Sequence, residues 1–241
     1  VVNAVHLVLR NSTDKTVLSL VERSPFVETL LAYVSPDEHP NKCVSQFSVP
    51  QIKDIQAECL LALEELATKL TSKLLKLGIL GTLTRLVGRL KGDARVVSGL
   101  KILLRLLEVS HREVQQQFGE NSLFDIILEH LNSGDSLQGI GDDDVLRTRT
   151  LGFMIVARGC ADHPSNQRLF AQKGGVETLQ AYLRNQKVHR SEKSLLLVVS
   201  VFSCLWSCVI GNSKNEDLFL ESDGFFTLME FLESAGRVCS K

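Results

Sequence analysis

The sequence predicts an all-α fold built by repetition. Three observations carry that prediction. A segment near the start is nearly copied in the second half: Phe26 to Val34 reads FVETLLAYV, and Gly175 to Leu183 reads GVETLQAYL. Apolar residues recur at helical spacing through most of the chain. Only five prolines and two tyrosines occur while leucine abounds, which favours helix over short strands.

The elements follow in order. Val17 to Glu22 reads as a short helical turn, broken by Ser24-Pro25. Phe26 to Val34 is a helix with Val27, Leu30, Leu31 and Val34 on one face. Residues 35–50 hold three of the five prolines and read as a surface loop. Gln51 to Leu70 is a long helix. The pattern then restarts with Ser72 to Leu77, a break at Gly78, Leu80 to Leu90, and the long Ala94 to Val109. Arg112 to Phe118 and Leu123 to Leu131 follow, then a polar loop at 132–144 and Val145 to Ala161. Asn166 to Gln172, Val176 to Leu183 and Glu192 to Ile210 form the next set, with Gly174-Gly175 as turn chemistry. Asn215 to Glu221 and Phe225 to Glu233 close the chain.

Five second helices superpose. Val27, Leu80, Phe124, Val176 and Phe225 share one position. Leu30, Leu83, Ile127, Leu179 and Leu228 share the next, and Val34, Val87, Leu131, Leu183 and Leu232 the third. Upstream, Val21, Leu74, Phe118, Phe170 and Phe219 align. Successive spacings are 53, 44, 52 and 49 residues. A helix pair of this kind cannot bury its apolar face alone, so the columns predict core positions in stacked units.

Short helix, glycine, medium helix, turn, long helix resembles the armadillo repeat. NQRLFAQKGGVETLQAYL (166–183) and NEDLFLESDGFFTLMEFL (215–232) carry the likeness, with the long helices between. Armadillo and HEAT units run at roughly 40–47 residues, and the excess here fits loops inserted at 35–50 and 132–144. The expectation is an all-α, armadillo/HEAT-like right-handed helical solenoid of about five units, one domain over 1–241. Residues 2–9 read as the tail of a helix, and no long helix follows the last pair, so a fragment of a longer chain is expected.

LWSCVIGNSKNEDLFLESDGFFTLMEFLE (205–233) more narrowly resembles the cilia- and flagella-associated armadillo-repeat proteins of the axonemal central apparatus. LKILLRLLEVSHREV (100–114) is compatible with it. That resemblance implies a structural subunit on the central-pair microtubule complex. Its partners would be central-pair proteins or tubulin, and its location the cilium or flagellum.

Composition excludes other classes. Hydrophobic residues make up 44% and charged residues 23%, enough to bury a core. Net charge is −1, so no overall field steers the chain to nucleic acid or to a membrane surface. The six cysteines form no CxxC and sit mostly in apolar helices, which points to a reducing cytoplasmic compartment. Leu195 to Ile210 is the most apolar run, but its sixteen residues fall short of the roughly 20 that span a bilayer.

No catalytic, cofactor-binding or metal residues are expected. Cys204 and Cys208 lie one turn apart with no third ligand near in sequence, so core packing is expected. Cys160, Asp162 and His163 lie too close along the chain to converge as nucleophile and base, and Asp162 reads as a helix cap. Gly139-Ile140-Gly141 before three aspartates matches neither a phosphate nor a calcium loop. The Trp and Asn pair of armadillo peptide grooves is missing: Trp206 is followed four residues on by Ile210. Ile102/Leu106, Ile155/Gly159 and Cys204/Cys208 stand at the aligned places.

Partner-binding candidates are therefore surface stripes. Lys69, Lys73, Lys76, Arg85, Arg89 and Lys91 occur with no acid between Glu65 and Asp93, which suits an acidic partner such as the tubulin tails. Ser98, Lys101, Arg105 and Glu108 share a stripe on a third helix. Ser200, Ser203 and Ser207 form a polar stripe that either lines a concave surface or bonds back to its own helix. The function expected is a non-enzymatic interaction scaffold. A soluble adaptor that binds an extended peptide or regulates a partner protein is the alternative.

Overall fold

A computed structural model describes residues 15–35, 47–90, 93–119, 121–132, 142–185 and 192–239. These residues contain helices and turns and no strand. The chain forms two compact units, Val1–Val114 and Gln115–Lys241.

In the first unit α1 spans Lys15–Arg23, α2 Phe26–Val34, α3 Val49–Ala67, α4 Thr71–Lys76, α5 Ile79–Arg89 and α6 Arg95–Val109. The short α7, His111–Gln117, spans the boundary. In the second unit α8 is Leu123–Asn132, α9 Asp142–Cys160, α10 Pro164–Gln172, α11 Gly175–Asn185, α12 Glu192–Cys208, α13 Ser213–Glu221 and α14 Gly224–Cys239. Like helices stack on like. In the first unit α2 packs on α5 and α3 on α6. In the second, α8 packs on α11 and α11 on α14, while α9 lies along α12 in the most extensive contact of all. Each unit is a stack of armadillo-type repeats, so the fold class is the all-α one expected.

Local chemistry sets the helix ends. Ser48 opens α3, its N and Oγ both donating to Gln51 Oε1 at 2.9 and 3.1 Å, with Pro50 in the first turn. Helix therefore claims the end of the loop expected at 35–50; residues 36–46 lie outside the described residues. Asp142, Asp143 and Asp144 belong to the first turn of α9, not to a loop, because acids suit the positive end of a helix. Residues 133–141 of that expected loop lie outside the described residues.

One turn recurs between first and second helices. Gly78, Ser122, Gly174 and Asp223 each stand two residues before the shared apolar column, with φ of 75°, 53°, 77° and 59°. Only two of the four are glycine, the residue that takes this conformation without a steric cost. The next residue packs tightly: a Cβ on Gly175 would lie 2.3 Å from the Phe170 ring, and one on Gly224 2.2 Å from the Phe219 carbonyl oxygen.

Side-chain amides tie the repeats of the second unit. Asn166, buried in α10, donates to Gly159 O at 2.7 Å and Gln115 O at 2.9 Å. Asn215, buried in α13, donates to Cys208 O at 2.7 Å and Gln167 O at 3.0 Å. Gln115 Nε2 donates to Arg158 O and Ala161 O, and Gln167 Nε2 to Ser207 O. The last carbonyls of a helix lack partners within it. Here the first helices on either side supply the missing donors.

The three second-helix columns are buried in four copies and not in the fifth, whereas in the upstream column Phe219 is buried and Val21 half-buried. Val27, Leu80, Phe124 and Val176 are at most 1% exposed, whereas Phe225 is 54% exposed. Val34, Val87, Leu131 and Leu183 are buried, while Leu232 is 41% exposed. The expectation of a core position fails for Phe225 and Leu232 because no described helix lies on that side of α14.

Candidate functional site

The basic residues divide by role. Lys73 is structural: its Nζ donates to Glu22 O and Ser24 O and pairs with Glu28 at 3.3 Å, tying α4 to the preceding repeat. Lys76 on α4 and Arg85 and Arg89 on α5 are exposed, and Lys69 is half-buried. Lys91 lies outside the described residues. On α6, Lys101 and Arg105 are exposed, Ser98 is half-buried, and Arg105 pairs with Glu108 at 3.3 Å. The arrangement offers exposed cations on α4, α5 and α6 of one repeat.

Two serines of the stripe bond to their own helix. Ser200 Oγ donates to Leu197 O at 2.7 Å and is buried, so it has no surface to offer a partner. Ser203 is exposed and donates to Val199 O at 2.9 Å. The places aligned with the armadillo peptide-groove pair, Ile102, Leu106, Ile155, Gly159, Cys204 and Cys208, are all buried. Trp206 on α12 and Ile210 in the turn after it are exposed, without the asparagine partner.

Three thiols meet where the sequence showed two. Cys204 and Cys208 lie 3.8 Å apart at sulfur, and the buried Cys160 of α9 lies close to Cys208. All three are buried, and burial pushes the Cys208 thiol well above its ordinary pKa. A protonated buried thiol is a packing group, not a nucleophile. Among the described residues, no group of His, Cys, Asp or Glu could hold a metal ion. Asp162 is not the cap of α10: it takes the turn at φ 52°, and His163 Nδ1 accepts from Asn166 N at 3.2 Å. Asn212 does the same for α13.

The surface the sequence reading missed is apolar. Phe225, Phe226, Met229 and Leu232 form one exposed face of α14, and Val199 and Trp206 of α12, with Ile210 in the turn after it, are exposed as well. Phe202 of α12 touches Phe231 of α14, with ring centroids 5.9 Å apart, and so joins the two helices. Repeat alignment hid this face, because a column that is apolar in every copy reads as core. Phe226 was the available signal: three of the four earlier copies hold an acid at its position, Glu28, Asp125 and Glu177, and the other holds Gly81. Among the described residues, no helix is long and apolar enough to cross a membrane.

Comparison with known proteins adds the family. The model of the family described as Cilia- and flagella-associated protein 69, ARM repeat, matches residues 81–240, more than half of the chain. No curated protein matches.

Proposed function

The chain belongs to the cilia- and flagella-associated protein 69 ARM-repeat family, and from that premise we propose that it is a structural subunit of the axonemal central apparatus. The family match carries the reading. The surface supports it: stacked repeats present stripes of side chains, and among the described residues the polar groups do not converge into a catalytic arrangement. Recognition then works through many weak contacts along the repeats, with no covalent step.

The exposed cations Lys76, Arg85, Arg89, Lys101 and Arg105 suit an acidic partner such as the tubulin tails. Lys73 is better left out of that set, since it holds the stack. Fractionation of ciliated cells tests the reading. The chain should stay with detergent-extracted axonemes, and the triple variant Lys76→Glu, Arg85→Glu, Arg89→Glu should release it with its helix content unchanged. Recovery of the unaltered chain wholly in the detergent-soluble fraction would favour a free adaptor instead.

A further inference from the structure

The repeat that carries the exposed cations also carries an exposed hydroxyl among them. Between Leu66 and Val109 the hydroxyl residues are Thr68, Thr71, Ser72, Thr82, Thr84 and Ser98. Thr71, Thr82 and Thr84 are buried, and each donates to the carbonyl four residues before it. A hydroxyl bonded back in this way is occupied by its own chain. Ser98 is half-buried, while Thr68 and Ser72 are exposed.

The two exposed hydroxyls differ in the charge around them. Glu64 and Glu65 stand four and three residues before Thr68. Ser72 has Lys69 three residues before it, Lys73 one after and Lys76 four after. No acid lies between Glu65 and Asp93. Ser72 sits in the first turn of α4, the shortest helix of the unit, and residues 68–70 just before it are not helical. Residues four apart are neighbours on a helix surface, so Ser72 and the exposed Lys76 share a face.

We propose that Ser72 is a phosphorylation site for a kinase that selects serines among basic residues, and that its phosphate switches off the cationic surface. The proposal deepens the reading of that surface as the site for an acidic partner and rests on it. The γ-phosphoryl group of ATP passes to Ser72 Oγ. The Oγ–P bond forms, the bond from Pγ to the oxygen bridging it to Pβ breaks, and ADP leaves. The hydroxyl proton goes to the general base of the kinase. The phosphoserine carries a charge of about −1.5 to −2 near neutral pH. It pairs with Lys76 across one helical turn and repels the carboxylates that Lys76, Arg85, Arg89, Lys101 and Arg105 would otherwise attract. Lys73 stays on Glu28, 3.3 Å away, so the stacking of α4 on the preceding repeat is left in place.

The test uses the full 241-residue chain, a labelled polyglutamate peptide as the acidic probe, and a basophilic serine kinase with ATP. Mass spectrometry of proteolytic fragments places the phosphate. It should fall on Ser72, and polyglutamate binding at low salt should weaken at least about tenfold. Ser72→Ala should bind the peptide as the parent does and keep that affinity after kinase treatment. Phosphate that leaves Ser72 untouched overturns the proposal. So does an equal loss of binding in kinase-treated Ser72→Ala, which assigns the effect to another residue. Circular dichroism should be the same before and after treatment, and a loss of helix would overturn the switch by assigning the weaker binding to unfolding. An untreated chain that ignores polyglutamate sinks the cationic-surface reading and the switch together. Binding that survives phosphorylation of Ser72 sinks the switch alone.

Discussion

Asn166 and Asn215 make the same pair of hydrogen bonds one repeat apart. Each donates to a carbonyl seven residues back, at 2.7 Å, and to a carbonyl on the first helix of the preceding repeat, at 2.9 and 3.0 Å. Both side chains are buried. Asn215→Ala leaves two carbonyls without their donor and should lower stability by about 2–3 kcal/mol. Urea unfolding followed by Trp206 emission reads this, because Trp206 lies in the same unit as Asn215. Asn215→Asp cannot donate and should cost as much. A loss below about 0.5 kcal/mol in either variant would show that the pair is dispensable.

The left-handed turn gives a prediction of opposite sign at two positions. Ser122 holds φ 53° where Gly78 and Gly174 hold 75° and 77°. A left-handed L-residue costs roughly 1–2 kcal/mol, so Ser122→Gly should stabilise the chain by up to about 1 kcal/mol. Gly174→Ala should destabilise it by a similar amount. Thermal melts of the two variants should move in opposite directions, and movement in the same direction would contradict the account.

Gly224 is needed for space. A Cβ there would sit 2.2 Å from Phe219 O, which is backbone and cannot rotate away. Gly224→Ala should cost about 1–3 kcal/mol and separate α13 from α14. Gly236, with nothing within 4 Å, is the control: Gly236→Ala should cost nothing by clash. Equal unfolding midpoints for the two variants would refute the packing argument.

Acid weakens the turn before α6. Arg95 Nε and Nη2 donate to the Asp93 carboxylate at 2.8 and 2.6 Å, and these side-chain hydrogen bonds hold its pKa below the ordinary value. A depressed carboxylate stabilises the fold above its unfolded pKa, about 3.9, and that contribution fades as pH falls through the folded value. Asp93→Asn should lower stability at neutral pH by up to about 1 kcal/mol, since the pair is partly solvated. Stability curves of variant and parent should converge in acid. A gap that stays constant with pH would mean that the charge plays no part.

Much of the fold was legible because helix periodicity and apolar columns are local signals. Val27 to Val34 and its relatives show their spacing without any knowledge of neighbours. The amide ties were not legible: Gln115, Asn166, Gln167 and Asn215 look like surface polar residues until the long helices place carbonyls beside them. Lys73 read as part of a cationic face because the sequence does not show Glu28 and Glu22 folding back onto it. The Cys160 contact escaped for the same reason, since it joins two helices more than forty residues apart. Phe225 and Leu232 failed in the other sense. Their pattern is that of core, and only the structure shows which side of a helix lacks a neighbour.

Cross-linking mass spectrometry on isolated axonemes tests the central claim most directly. The account predicts cross-links from exposed lysines, Lys76 and Lys101 among them, to central-pair proteins or tubulin. Cross-links confined to soluble proteins, with none to the central apparatus, would contradict it.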